Sequence, residues 1–119
     1  MLWLTPLVAI AALVVSLYGT IKKDSSSSWQ EQRAHLLKQL KQEDGKHLII
    51  VSYGPWHSVH NEWVYNEADI DSAKVVFARA INSREDCRLI EYFKLRRIWS
   101  LDADQSIPKL KSYPRNQCE

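Results

Sequence analysis

Hydrophobic and polar positions divide the chain into segments of different character. Residues 1–21 contain no charged side chain, and Lys22-Lys23 closes the run. About 20 apolar residues match the ~30 Å hydrocarbon core of a bilayer at ~1.5 Å per helical residue. Trp3 and Tyr18 lie near the two ends, where amphipathic rings favour the headgroup level. The pattern predicts a transmembrane helix over 1–21. A cleavable signal peptide would carry a basic n-region and a shorter apolar core. A core helix apolar on every face would need a larger surrounding protein.

Asp24 and the four serines after it make 22–28 a polar linker. Ser28 and Glu31 have capping-box spacing, and Trp29, Leu36, Leu37 and Leu40 recur at helical intervals, predicting an amphipathic helix over about 29–43. Gly45 is read as the left-handed residue that ends it. The run Leu48-Ile49-Ile50-Val51 is continuous, as in a strand covered on both faces of a parallel sheet. Gly54-Pro55 stops it, and Glu62-Trp63-Val64-Tyr65 is a candidate short strand. Residues 74–79 read as a second strand and 97–101 as a third. Between them Ser83 and Asp86 have cap spacing and open a helix through Leu89, Ile90 and Phe93. The predicted class is α/β: one transmembrane helix, then a small domain over 29–108 with about three mainly parallel strands and two helices. Residues 109–119 read as a tail.

Charge narrows the range of functions. The 16 basic and 14 acidic residues are nearly balanced and all follow residue 21. Nucleic-acid-binding surfaces show a clustered basic excess, so no nucleic-acid partner is expected. The basic groups Lys94 with Arg96-Arg97, and Lys109 with Lys111, read as solvated surface. The three glycines form no phosphate-binding loop, and no nucleophile elbow is present.

Residues 47–79, with 89–93 and 97–101, carry a family likeness. Its most specific part is Glu62-Trp63-Val64-Tyr65-Asn66, followed by Asp69-Ile70-Asp71 and the next strand. This pattern resembles the C-terminal extracytoplasmic domain of bacterial multi-helix membrane proteins similar to dolichyl-phosphate-mannose-type glycosyltransferases. The resemblance covers most of 30–115 and implies an extracytoplasmic domain behind a last membrane helix. Such proteins carry their catalytic acidic residue in an early loop that has no counterpart here, so no catalytic residue is carried over. The resemblance therefore implies an accessory domain, either a truncated gene product or a separately encoded remnant. Lys22-Lys23 favours the opposite, cytoplasmic, placement by the positive-inside rule.

The segment 53–71 holds the candidate chemistry. Tyr53, Trp56, Trp63 and Tyr65 could stack on a sugar ring while Asn61, Glu62, Asn66 and Asp69 bond its hydroxyls; the candidate ligand-binding residues are Tyr53, Trp56, His57, His60, Glu62, Trp63 and Asn66. The plainer reading is a local hydrophobic cluster covering the sheet. The H-x-x-H-x-E spacing of His57, His60 and Glu62 has the donor types of a zinc site, but the helical context of the strong zinc motifs is missing. Glu62, Glu67, Asp69 and Asp71 lack calcium-loop spacing, and Asp69 reads as a turn cap. Cys87 and Cys118 come within reach of each other if the tail returns from the third strand. In an extracytoplasmic domain they could form a disulfide contributing about 3 kcal/mol; two reduced thiols is the other reading. Two functions follow. One is a membrane-anchored accessory or binding module, inactive alone, with the bilayer, other membrane-protein subunits or a glycan as partners and no cofactor. The other is a metal-assisted hydrolase using His57, His60 and Glu62.

Overall fold

A computed structural model describes residues 28–118. The expected membrane helix over 1–21 and all but the last residue of the 22–28 linker lie outside them. Among the described residues no helix is long and apolar enough to cross a membrane.

Helix α1 spans Trp29–Gln42 and opens with the expected capping box. Ser28 Oγ accepts from the Glu31 N–H, while Glu31 reaches back to the Ser28 N–H. These bonds satisfy two backbone donors that a helix start otherwise leaves unpaired. The helix ends at Glu43 in an extended conformation. Gly45 therefore acts two residues later, adopting φ 80° in the turn that feeds the first strand.

Strands β1 (His47–Ser52), β2 (Val75–Arg79) and β3 (Arg97–Asp102) are parallel, with β1 in the centre. The continuous Leu-Ile-Ile-Val run follows from that central place. Ile49 and Val51 meet Leu36 and Leu40 of α1, together with Phe77 and Leu101. Leu48 and Ile50 face the other way, toward Val76, Phe93 and Ile98. Each such side chain, once fully buried, contributes about 1.5–3 kcal/mol. Helix α2 (Ser83–Tyr92) covers this second face through Leu89 and Ile90. Its N-cap is Asn82, one residue before the expected Ser83; the Asn82 side chain accepts from the Glu85 N–H at 2.9 Å. Asp86 instead accepts the Ile81 N–H.

The tail is part of the domain. Residues Lys111–Ser112 form β4, antiparallel to β3, and a short 3₁₀ turn, Arg115–Cys118, follows. A Cys87–Cys118 disulfide, with Cα atoms 5.4 Å apart, fastens that turn to α2. The sheet is thus four-stranded and mixed, in the order β2-β1-β3-β4. Two exposed polar residues carry no strand pattern, which is why β4 escapes a sequence reading.

Residues 53–74 wrap the open edge of β2 without forming the short strand expected at 62–65. Two arginines and one asparagine hold them. Arg33, buried in α1, donates to the carbonyls of Trp63 and Tyr65 at 2.8 Å each. Its guanidinium lies 3.5 Å from the Tyr65 ring centroid and 4.1 Å from that of Phe77. Asn66 pairs with both backbone groups of Phe77 at 2.8 Å, occupying hydrogen-bonding positions on the β2 edge. Arg96 is buried beneath the return of the loop, where it donates to five carbonyls. This corrects the reading of Arg96 as solvated surface: a guanidinium has enough donors to satisfy several carbonyls in one buried place.

Candidate functional site

In an open parallel sheet, ligands bind outside the carboxyl ends of the strands, where neighbouring connections leave toward opposite faces. Strands β1 and β2 meet that condition. The β1 exit loop places Trp63 and Val64 on the α1 face, whereas β2 leads into α2 on the other face. A cleft of about 380 Å³ opens between the two ends, lined by Tyr53, Gly54, His57, Val59, Glu62 and Arg79.

Two short hydrogen-bonded pairs build its wall. The Tyr53 hydroxyl donates to Glu62 at 2.5 Å and accepts the Trp63 N–H at 3.0 Å. The same Glu62 oxygen accepts the Val64 N–H at 2.8 Å. The Tyr53 hydroxyl is pushed up to about 12 by burial and by its bond to the carboxylate. Glu62 is held below its usual value, first by the Tyr53 hydroxyl and then by the Val64 N–H, so it is ionised at neutral pH.

The second pair joins two strand exits. His57 Nδ1 lies 2.5 Å from Asp104, just past β3, and Asp104 also accepts the Gly54 N–H. His57 Nε2 lies 2.8 Å from the Asn61 carbonyl, where only a protonated nitrogen makes a bond. The ring stacks on Tyr53 at a centroid distance of 4.1 Å. Burial alone would lower the His57 imidazole, but the bonds to Asp104 and the Asn61 carbonyl outweigh it and raise the value. Asp104 is lowered, first by His57 and then by the Gly54 N–H. Gly54 matters for its size: a Cβ there would lie 3.0 Å from the Asp104 carboxylate and push it away. Arg79, the last residue of β2, lies 5.2 Å from the Tyr53 ring centroid.

The candidate residues therefore separate. Tyr53, His57 and Glu62 come together in the cleft. Trp56 stands beside it, 95% exposed. His60 is exposed on the loop. Trp63 is buried against α1, and Asn66 pairs with the backbone of Phe77 at the β2 edge, so neither lines this cleft. Arg79, Gly54 and Asp104 were not anticipated. Their one sequence signal was position, at the carboxyl end of a strand or just beyond it. The zinc spacing is occupied by other bonds: both His57 nitrogens are engaged, and a ring protonated at both has no lone pair for a metal. Among the described residues no three His, Cys, Asp or Glu gather as a metal centre would require. Asp69 acts as the expected turn cap, accepting the Ser72 N–H.

The ion pair gives the loop a pH dependence. His57, with its value raised above 6.5, stabilises fully below that pH and loses its contribution as pH rises through the folded value. Asp104, lowered from 3.8, contributes above that pH and loses it as pH falls through the depressed value. Amide exchange over 54–61, corrected for intrinsic rates, is expected to be slowest between about pH 4 and 6.5 and faster at pH 8. In His57→Gln the change between pH 6 and 8 should vanish; an unchanged profile would show that another group controls it.

No family model, curated protein or solved structure matches this chain.

Proposed function

We propose that the chain is a membrane-anchored binding module whose carboxyl-edge cleft receives a hydroxyl-rich ligand, a glycan or the sugar head of a lipid-linked saccharide. The cleft carries this reading. It places an ionised carboxylate and a guanidinium within one small open volume bordered by aromatic residues. Sugars are bound by such combinations, since rings stack on their C–H faces while charged groups bond their hydroxyls. Trp56 beside the cleft extends the aromatic surface.

The apolar run over 1–21 supports attachment to a bilayer. The Cys87–Cys118 disulfide supports extracytoplasmic placement, because such bonds persist in oxidising compartments. The resemblance to the C-terminal domain of glycosyltransferase-like membrane proteins supports both, and a role beside other membrane subunits. The internally bonded His57 and Glu62 favour binding over metal-assisted hydrolysis.

Saturation-transfer NMR on the full chain in detergent micelles, with a panel of hexoses and hexose disaccharides, tests the reading. At least one sugar should receive magnetisation. Arg79→Ala and Trp56→Ala should each weaken that binding about tenfold, or ~1.4 kcal/mol, without altering the thermal transition. A panel with no response from the wild-type chain would overturn it.

A further inference from the structure

Large apolar side chains stand in solvent on the same edge of the sheet. Trp56 (95% exposed) and Val59 (85%) project from the β1 exit, Ile81 (73%) from the β2 exit and Ile107 (70%) from the β3 exit. Three separate connections thus contribute apolar tips to the edge at which the polar cleft opens, and Val59 lines that cleft itself. Among the described residues, the only other large hydrophobic more than two-thirds exposed is Leu95, in the turn between α2 and β3 at the opposite edge. Clustered exposure of this kind marks an interaction surface, whereas scattered apolar residues do not.

The path of the chain identifies what that surface meets. Helix α1 packs on the sheet and enters β1 after a four-residue turn, so it runs against the strands and begins at their carboxyl edge. Gln32, in its first turn, donates to the Ser106 carbonyl in the β3 exit loop and confirms the placement. The described chain therefore begins, at Ser28, on the edge that carries the four apolar tips. The seven residues 22–28 span about 25 Å at most, which keeps this edge close to anything residues 1–21 enter.

We infer that the carboxyl edge rests on the surface of the bilayer, with Trp56, Val59, Ile81 and Ile107 inserted at the headgroup level and the cleft opening toward the lipid. The inference rests on the membrane attachment put forward above and adds an orientation to it. Trp at such a tip suits the interface, where its ring is apolar and its N–H stays hydrated. Charge at the edge is mixed, Arg79 and Arg84 against Glu62, Glu85, Asp102 and Asp104, so insertion does not draw on anionic lipid. The tether raises the local concentration of the edge at the surface, and a few shallow insertions then suffice to orient the domain.

The full chain reconstituted into phosphatidylcholine vesicles with brominated acyl chains tests the orientation. Bromine quenches tryptophan only at short range, and the difference between wild type and Trp56→Phe isolates Trp56. That difference signal should be lost in brominated vesicles and retained in unbrominated ones. Leu95→Trp should add a signal that bromine leaves intact. Coincident thermal transitions of the variants and the wild type establish that the fold is kept. If the protein floats with the vesicles while Trp56 stays unquenched, the docking is overturned and attachment stands. If Leu95→Trp is quenched as strongly as Trp56, the domain has no preferred edge and the inference fails. If the protein does not float, attachment itself is overturned and the docking with it.

Discussion

Arg96→Ala is expected to lower the unfolding free energy by about 3–5 kcal/mol, measured by urea denaturation of the full chain in micelles. Nη1 of Arg96 donates to the Ala73 carbonyl at 2.6 Å and to His47 at 3.2 Å, and Nη2 donates to Ile70 and Asp71 at 3.1 Å each. These acceptors join the start of β1 to the returning end of the 53–74 loop, so one side chain closes a long loop against the sheet. Its removal leaves several carbonyls short of a donor, at roughly 1–3 kcal/mol for each that stays buried and unmet. A small domain holds only about 5–15 kcal/mol in total, so the variant should approach the threshold of folding. Arg96→Lys should recover part of the loss, because one ammonium cannot reproduce the two-pronged reach of a guanidinium. A loss below about 1 kcal/mol in Arg96→Ala would mean that water satisfies these carbonyls as well as the arginine does.

Arg96 also shows where sequence pattern stops being informative. Helix α1 was legible because its apolar residues repeat at helical spacing, and strands β1, β2 and β3 because short runs rich in β-branched and aromatic residues mark strands, continuous in β1 where both faces are covered. An arginine bonded to carbonyls distant in sequence carries no such period, and beside Lys94 and Arg97 it resembles ordinary surface. Arg33 was hidden in the same way among the polar positions of α1. The cleft was half legible. Tyr53, His57 and Glu62 lie within ten residues of one another, and the density of chemistry in that segment pointed to them. Arg79 and Asp104 reach the same place from other strands, and only the parallel pairing of β1 with β2 and β3 brings them there.

Trp63→Ala is expected to cost about 3–5 kcal/mol, whereas Trp63→Phe should change stability by about 1 kcal/mol or less. The indole is 1% exposed in the cluster formed by Leu36, Leu40 and Val51, so alanine would leave a cavity under α1. Phenylalanine keeps much of the volume and removes Nε1, a buried N–H with no partner among the described residues. Relief of that unmet donor offsets the smaller ring. The backbone of Trp63 adds a second consequence, since its N–H donates to the Tyr53 hydroxyl and its carbonyl accepts from Arg33. Collapse around an alanine would therefore shift Tyr53, the aromatic wall of the cleft, and binding should weaken along with stability. In Trp63→Phe both backbone bonds persist, and sugar binding should match the wild type. A Trp63→Phe chain that keeps its stability but loses binding would return this residue to the ligand site. The opposite result would place its whole effect in holding Tyr53 and Glu62 where the cleft needs them.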